Sequence, residues 1–195
     1  MKWLSVPAKV LKALNIFADK NYVRPVLRHI SVKRTGDNIV LAATDSYRVM
    51  TVTFKCADDA IADGEELLFP ASLVKELKLG KNADVIVTWD DDGNVILASG
   101  YISLTERLDD GLGNYPEYEQ VMPSESPSEA SMAVLSVKPK YLEELAAAAG
   151  MLADKDAGMK LSFVNGAVGG KRIYAEMDTG DYKVRAIVVG IRDAR

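Results

Sequence analysis

Five polar residues of different chemistry stand in a row between two apolar stretches of the sequence. They run from Thr44 to Arg48, within AATDSYRVM, and supply two hydroxyls, a carboxylate, a phenol and a guanidinium. An aspartate at such a place commonly caps a turn by accepting hydrogen bonds from the backbone N–H groups that follow it. The same groups could orient a bound ligand. From this segment alone, a hairpin turn and a binding site are both open interpretations.

Residues typical of catalysis are sparse. His29 is the only histidine, and the alternating sequence around it, LRHISVK, predicts a position on the surface of a strand. Cys56 is the only cysteine and has no histidine near it in sequence, so no intramolecular disulfide can form. A nucleophilic Cys–His pair is therefore disfavoured, and we predict that the chain is not an enzyme.

Two segments have some features of ligand-binding loops. GGKR, at 169–172, lacks the rest of a phosphate-binding loop. DDDGN, at 90–94, is acidic like a calcium loop but lacks the spacing and the closing glutamate, so a hairpin turn is the better interpretation. No metal site and no cofactor are predicted.

Composition is that of a globular protein. The 195 residues carry a formal net charge of −4, and 48% of them are hydrophobic. The pI of about 5.1 argues against a uniformly basic nucleic-acid binder, but not against positive charge concentrated on one face. No apolar run approaches the roughly 20 residues of a membrane helix, and the first residues are too interrupted for a signal peptide. We predict a cytoplasmic protein.

One pattern of elements occurs three times along the chain. Each unit opens with a strand, continues with a helix led by a proline, and closes with three strands. Pro7, Pro70 and Pro139 suit a first helical turn, because the N–H that proline lacks has no partner there. The predicted helices are 7–20, 70–81 and 139–153, and the predicted strands are 2–6, 27–36, 37–44, 47–55, 65–69, 83–89, 94–99, 101–108, 132–137, 159–166, 171–180 and 182–191.

This order of elements predicts an α+β fold of three β-α-β-β-β repeats, with the helices on one face of antiparallel sheets. The first two repeats, 1–60 and 61–123, would form one complete domain. Residues 131–195 would form half of another domain. The polar, proline-containing segment 124–130 is typical of a linker.

Three segments resemble motifs of the bacterial sliding clamp family, the β subunit of the replicative DNA polymerase. LAATDSYRVM is similar to the family's ATD-x-[HY]-R-[LM] motif, and NYPEYEQVMP (114–123) to its F-P-[DE]-Y-x-x-[VL]-[LI]-P segment. GDYKVRAIVVGIR more weakly resembles its C-terminal strand. Their order matches the family's middle domain followed by the second half of its last domain. The resemblance implies a DNA-clamp fold in a shortened form.

In that family these segments line a hydrophobic pocket that binds short peptides from polymerases and other proteins. Aliphatic side chains would take Leu and Phe anchors, while Thr44 and Arg48 would orient the peptide backbone. The pocket residues implied by position are Leu27, Thr44, Ser46, Tyr47, Arg48, Val49, Pro116, Gln120, Val121, Ile187, Val188, Val189 and Ile191.

Four positions depart from the family pattern. Ser46 stands where the family commonly has glycine, and Tyr47 where it often has histidine. Val189 replaces a methionine that gates the pocket, and Gly190 replaces a proline. These departures would alter partner specificity rather than the fold.

The resemblance also implies a central hole, lined by helices whose lysines and arginines contact the phosphates of duplex DNA without sequence preference. A solvated helix face would show the same lysine spacing. The third helix carries Glu143 and Glu144 on its polar face, so we assign DNA contact to the first two helices only. The implied DNA-binding residues are Lys9, Lys12, Lys20, Arg24, Lys75, Lys78 and Lys81.

The implied function is a processivity factor that encircles duplex DNA as a ring, is placed there by a clamp loader, and tethers DNA polymerase. Rings of this superfamily contain about twelve such units, so three units per chain imply a homo-oligomer of four copies. An alternative is a clamp-derived adaptor or decoy that keeps the pocket without encircling DNA. An unrelated α+β protein that binds a small molecule is a third.

Overall fold

The computed structural model describes residues 1–21, 24–55, 61–80, 82–123, 137–153, 157–165 and 171–190. These residues form eleven strands, three α-helices and two short 3-10 helices, Pro25–Arg28 and Tyr118–Gln120. The helices are α1 (Ala8–Phe17), α2 (Ala71–Glu76) and α3 (Pro139–Leu152). The strands are β1 (Lys2–Pro7), β2 (His29–Thr35), β3 (Asn38–Thr44), β4 (Arg48–Lys55), β5 (Glu66–Pro70), β6 (Asp84–Trp89), β7 (Asn94–Ser99), β8 (Ile102–Arg107), β9 (Lys160–Asn165), β10 (Lys171–Asp178) and β11 (Lys183–Val189).

The strands form two antiparallel sheets. One has the order β1-β6-β7-β8 and the other the order β5-β2-β3-β4-β11-β10-β9. The first two units exchange their opening strands, because β1 pairs with β6 and β5 pairs with β2. The third unit extends the larger sheet through antiparallel pairing of β11 with β4. We call this pairing the junction between the first and third units.

The main core lies between the helices and one face of each sheet. Helix α1 buries Val10, Leu11, Leu14 and Phe17, which fall on one side at helical spacing. It packs against both α2 and α3. The predicted α+β architecture, with helices on one face of antiparallel sheets, is therefore confirmed.

A second, smaller core lies on the opposite face of the seven-stranded sheet. The segment 114–123 crosses this face and buries two tyrosines there, Tyr115 and Tyr118, whose rings meet edge to face at 6.2 Å. The Tyr115 hydroxyl donates to the carbonyl oxygen of Ala42, 3.3 Å away. We call this cluster the outer core; its members are Ala42, Val49, Tyr115, Tyr118, Tyr174 and Ile187.

The second helix is shorter than predicted. It spans Ala71–Glu76 instead of 70–81. Lys78 adopts a left-handed conformation with φ of 47°, which ends the helical geometry before Gly80. The first helix also stops early, at Phe17, because Ala18 is extended.

His29 is buried, with 8% of its surface exposed, although the sequence pattern predicted a surface position. It does lie on a strand, as expected, although that strand begins at His29 and not at Leu27. The alternation was misleading because the ring lies beside the end of α1, the start of α2 and Glu106 of β8. The ring Nδ1 lies 3.0 Å from the carbonyl oxygen of Pro25, and burial lowers the pKa of the imidazole.

Several predictions concern residues outside the described ranges. These are the linker 124–130, nearly all of the strand predicted at 132–137, Cys56, and the first two residues of GGKR.

The hairpin turn predicted at 90–94 is present, with Asp90 Oδ1 accepting from the N–H groups of Asp92 and Asn94. Within the described ranges, no cluster of three or more His, Cys, Asp or Glu residues could hold a metal ion. The helices described here are all too short or too polar to span a membrane.

Candidate peptide-binding site

The corner between β3 and β4 is a turn held together by its own side chains. Asp45 Oδ1 accepts hydrogen bonds from the N–H groups of Tyr47, at 3.0 Å, and Arg48, at 2.9 Å. The Thr44 hydroxyl donates to the carbonyl oxygen of Arg48 at 2.7 Å and accepts from the N–H of Ser46 at 3.2 Å. Asp45 therefore caps the turn as predicted, whereas the Thr44 hydroxyl is used inside the corner.

Ser46 has a backbone conformation that favours glycine. Its φ is 74°, in the left-handed region where a Cβ atom approaches the following carbonyl oxygen. This conformation gives a physical reason for the family's preference for glycine at that position. The serine is kept at a conformational cost, next to Tyr47, whose side chain is 61% exposed.

A cavity of about 270 Å³ opens beside this corner, at the junction. We call it the pocket. Its walls come from the β3–β4 corner, the segment 116–121 and strands β10 and β11. Ten predicted residues line it: Leu27, Thr44, Ser46, Tyr47, Arg48, Val49, Pro116, Val121, Ile187 and Val189.

Three predicted residues do not line the pocket in the described part of the chain. Ile187 and Val189 of β11 face it, so the intervening Val188 points to the other side of the sheet and is buried in the main core. Gln120 is exposed, and its amide donates to Glu117. Ile191 lies outside the described residues.

Four lining residues were not predicted for the pocket: Arg24, Glu117, Tyr118 and Arg172. Arg24 is instead one of the residues predicted to contact DNA. Arg172 lies on β10 directly opposite Val189 of β11, and Tyr174 lies opposite Ile187. Paired residues of antiparallel strands share a face, so the alternation of KRIY could have placed Arg172 beside the pocket once this pairing was known.

Arg48 borders the pocket, but its guanidinium is bound elsewhere. Nε and Nη2 donate to Asp45 Oδ2 at 3.0 and 2.8 Å, and Nη1 pairs with Glu144 of α3. The guanidinium also stacks on the rings of Phe17 and Tyr141, at 5.0 and 4.6 Å from their centres. The charge of Arg48 thus joins the first unit to the third, and its role in orienting a peptide stays a prediction.

The phenols beneath the pocket stay protonated over the ordinary pH range. Burial is the main cause that raises the pKa of Tyr115 and of Tyr118. The negative charges of Glu119 and Glu66 raise the pKa of Tyr118 further. Both hydroxyls are therefore hydrogen-bond donors.

A family model for the DNA polymerase III beta subunit, central domain, matches residues 5–117, which is more than half of the chain. The chain belongs to this family. Members of the sliding clamp family are non-enzymatic processivity factors, in agreement with the prediction that this chain is not an enzyme.

Curated sliding clamps are similar to this chain over most of its length. The beta sliding clamp of Micrococcus luteus is 26% identical over 166 residues, which cover 83% of this chain and 51% of that protein. The beta sliding clamp homolog GriR of Streptomyces muensis is 25% identical over 162 residues, covering 82% of this chain and 42% of the homolog. The chain therefore spans about half the length of these relatives.

Solved sliding clamps share the fold. A clamp of Bartonella birtlesii bound to griselimycin superposes with a TM-score of 0.63 at 17% identity, covering 98% of this chain and 66% of that one. The clamp of Bacillus subtilis superposes with a TM-score of 0.58 at 17% identity, covering 98% and 64%. The predicted DNA-clamp fold is confirmed.

A second cavity adjoins the pocket in this sliding clamp homologue. Its volume is about 480 Å³, and it shares Arg24, Leu27, Ser46 and Tyr47 with the pocket. The side chains that it adds are mostly polar: Asp19, Asn21, Asp45, Lys138 and Tyr141. The two cavities together form a groove with an apolar end and a charged end.

The lysines and arginine predicted to contact DNA differ in their exposure and in the contacts that they make within the protein. Lys12 donates to the carbonyl oxygen of Leu79 at 2.6 Å, and Lys9 lies over the ring of Tyr182 at 4.8 Å. Lys20, Lys75 and Lys78 are exposed. Lys81 lies outside the described residues, and Arg24 lines the pocket.

Proposed function

We propose that the chain is a sliding-clamp-type processivity factor that encircles duplex DNA as an oligomer and holds partner proteins through the pocket. The observation that carries this proposal is the convergence on one cavity of residues from three separate segments, near 44–49, 116–121 and 187–189. Membership of the clamp family supports it. DNA polymerase and a clamp loader are the partners that we propose, in the cytoplasm.

The pocket suits a short peptide with apolar anchors. Leu27, Val49, Ile187 and Val189 supply aliphatic surface, and Pro116 and the exposed Val121 form part of its rim. Backbone polar groups of a peptide would remain near the polar, charged end of the groove. Such a division between apolar anchors and a polar edge is typical of peptide-binding sites.

Fluorescence anisotropy tests the pocket. The probe is a fluorescein-labelled peptide with adjacent leucine and phenylalanine residues. The variant Val121→Glu puts a charge at a pocket residue that is 38% exposed, and it should weaken binding at least tenfold. The control Ile86→Glu changes a residue that is 47% exposed on β6 and should bind normally. Equal loss in both variants, or no binding by the unmodified protein, would contradict the proposed pocket.

The proposed ring rests on β8 and β9, two of the four edge strands of the described sheets, the others being β1 and β5. Strand β8 pairs only with β7, and β9 only with β10. Two side chains of β9, Leu161 and Phe163, are 50% and 43% exposed. They lie opposite Ala175 and Ile173, which belong to the main core, so they extend the apolar helix-facing side of the sheet. An apolar open edge of this kind favours pairing with another chain.

These two edges also offer a way to close a ring with three units per chain. At the junction, two unit-closing strands, β4 and β11, pair antiparallel. Strand β8 also closes a unit, so it could pair in the same manner with β8 of a second copy. The β9 edge would join a third copy. Alternation of these two symmetric contacts would let four chains form one closed ring.

Light scattering coupled to size-exclusion chromatography tests the oligomer. A four-chain species is expected, and the double change of Leu161 and Phe163 to lysine should reduce it to two chains. The control Ile86→Lys should leave the mass unchanged. A strictly monomeric protein at high concentration would contradict the ring.

The alternative is an adaptor that binds peptides without encircling DNA. The internal contacts of Lys9 and Lys12 support it. So does the exposed side of α3, which after Lys140 in its first turn carries Leu142, Ala146 and Met151 and no further basic residue. Retention on nicked circular plasmid but not on linear plasmid would support the ring. Peptide binding without topological retention would support the adaptor.

A further inference from the structure

One strand of the third unit leaves apolar side chains uncovered where the other two units bury theirs. The strand that follows the helix is β2 in the first unit, β6 in the second and β9 in the third. On β9 the side chains of Leu161 and Phe163 are 50% and 43% exposed. In the first two units the corresponding side chains are fully buried in the main core: Ile30, Val32, Val85 and Val87. The same place in the fold is therefore covered twice and open once.

The helix of the third unit shows the same difference. Counted from the first residue of each helix, the fourth position is Leu11 in α1, Val74 in α2 and Leu142 in α3. Leu11 and Val74 are 0% and 3% exposed, whereas Leu142 is 39% exposed. The seventh position is buried in every unit and holds Leu14, Leu77 and Leu145. The third unit thus packs onto its own sheet but lacks a neighbour on one side.

In the first two units that neighbour is the other unit of the same domain. Strand β5 of the second unit pairs along β2, with Phe69 opposite Ile30. Strand β1 of the first unit pairs along β6, with Val6 opposite Val85. Each of these opening strands runs directly into the helix of its own unit, and the two helices pack together. An opening strand therefore covers the other unit of the domain and not its own.

We propose that two copies of the chain complete one domain between them, in which the opening strand of each third unit pairs antiparallel with β9 of the other copy. This inference deepens the oligomer of the proposed function, on which it rests for the contact at β9. The exchange is reciprocal, so a two-fold axis relates the copies and the contact closes on itself. It would cover Leu161 and Phe163 of both chains and place their α3 helices side by side, as α1 lies beside α2.

The residues before α3 fit this role. Val137 stands two positions before the first residue of α3, as Val6 and Phe69 stand before α1 and α2. In both described pairings this position faces the first core residue of the strand that it covers, which on β9 is Leu161. Val137 is the last residue of the strand predicted at 132–137, whose other residues lie outside the described ranges.

Two further pairs follow from an antiparallel register in which Val137 faces Leu161. Leu135 would lie opposite Phe163 on the core side, and Ser136 opposite Ser162 on the outer side. Apolar side chains thus meet apolar side chains across the contact. A register shifted by one residue would lose this match, because neighbouring side chains of a strand point to opposite faces.

Engineered disulfides test the exchange. Cys56, the only native cysteine, is first replaced by serine. Two double variants then carry cysteines at facing positions: Ser136→Cys with Ser162→Cys, and Val137→Cys with Leu161→Cys. Consecutive pairs of an antiparallel ladder have Cα atoms about 4.5 and about 5.5 Å apart in alternation, and a disulfide can span both distances. After mild oxidation, at least one variant should run mainly as a two-chain band on a non-reducing gel and return to one chain on reduction.

The combination of Ser136→Cys with Ser103→Cys is the matched control. Ser103 is exposed on β8, the other edge strand on which the proposed ring rests. Because the inference pairs the opening strand with β9 alone, this variant should stay unlinked. Size-exclusion chromatography before oxidation verifies that the variants assemble as the unmodified protein does.

The possible results separate the inference from the proposed function. A disulfide within a single chain, identified by mass spectrometry, would show that the opening strand pairs with β9 of its own chain and would overturn the inference. The absence of a link in both variants, or equal linking in the Ser103 control, would also overturn it. A linked two-chain species that is not retained on circular DNA would contradict the proposed ring and leave the shared domain intact.

Discussion

Arg48 of β4 and Glu144 of α3 form an ion pair beneath the pocket, although they stand 96 positions apart in the chain. Both side chains are largely buried, with 6% and 17% exposed. Asp45 supplies a second carboxylate to the same guanidinium. The pair lies on the helix side of the sheet, so the junction is held on that side by charge and within the sheet by the β4–β11 ladder.

Replacement of Arg48 by methionine should destabilise the protein by about 3 kcal/mol, because it leaves two partly buried carboxylates without their cation. Urea denaturation measures the free energy of unfolding. The control Lys140→Gln removes a cation that also faces Glu144, at 4.0 Å, but is 75% exposed. That change should cost less than about 0.5 kcal/mol. An equal loss of unfolding free energy in the two variants would show that the buried Arg48–Glu144 pair stabilises the protein no more than the exposed one.

Replacement of Ser46 by glycine should stabilise the protein by up to about 1 kcal/mol. Glycine adopts a φ of 74° without the strain that a Cβ atom causes, which stabilises the folded protein. The greater conformational entropy that glycine loses on folding offsets part of this stabilisation. Thermal or urea unfolding measures it. Ser46→Ala keeps the Cβ atom and should show no gain, so stabilisation by alanine would refute the conformational explanation.

Replacement of Tyr118 by phenylalanine should leave the free protein as stable as before or more stable, by up to about 1–3 kcal/mol. The reason is that the change removes a buried hydroxyl that has no partner among the described residues. Tyr115→Phe is the matched control, since it removes a hydroxyl bonded to the Ala42 carbonyl and should be destabilising. A loss of stability in Tyr118→Phe similar to that in Tyr115→Phe would mean that the hydroxyl has an acceptor after all.

Stability should fall as the pH is lowered below about 6.5, partly because of His29. Its folded-state pKa lies below the ordinary value of 6.5, chiefly because of burial. The unfolded chain then binds more protons than the folded chain between the two pKa values. The free energy of unfolding therefore falls by up to about 1.4 kcal/mol for each pH unit by which the pH is lowered through that window. At higher pH both states hold neutral imidazole and the full stability is present.

The only histidine of the chain makes this measurement direct. Its ring proton resonances give the folded pKa by NMR, and urea midpoints between pH 7.5 and 5.5 give the stability. His29→Asn should remove this part of the pH dependence. A titration midpoint at or above 6.5 in the folded protein would contradict the assignment.

The sequence was sufficient for the order of elements, because apolar periodicity and leading prolines are local signals. The strand predicted at 27–36 is present as His29–Thr35, and the third helix begins at Pro139 as predicted. It was not sufficient for the end of α2, since a non-glycine residue, Lys78, takes the left-handed conformation there. The burial of His29 was also missed, because its ring lies beside residues of α1, α2 and β8 that are distant in the sequence.

Site prediction failed where the direction of a side chain decided the outcome. Side chains alternate along β11, so Val188 faces away from the pocket that Ile187 and Val189 line. This alternation is visible in the sequence and would have excluded Val188 from the pocket. The contact between Arg48 and Glu144 could not be predicted from the sequence, because Glu144 belongs to a helix whose position is set by tertiary packing. The position of Arg172 beside the pocket follows from its pairing with Val189, which the sequence did not predict.

The position of the pocket astride the β4–β11 junction has a thermodynamic consequence. Val49 and Ile187 face each other across the junction, and both line the pocket, so a separated third unit would leave only half a binding site. Any peptide that binds must then favour the docked arrangement by mass action, and the gain grows with peptide concentration relative to its Kd. Conversely, a mutation that loosens the junction, such as one at Glu144, should weaken peptide binding without touching the peptide. Under the proposed function, peptide occupancy of the pocket and pairing of β4 with β11 are therefore coupled in a single equilibrium.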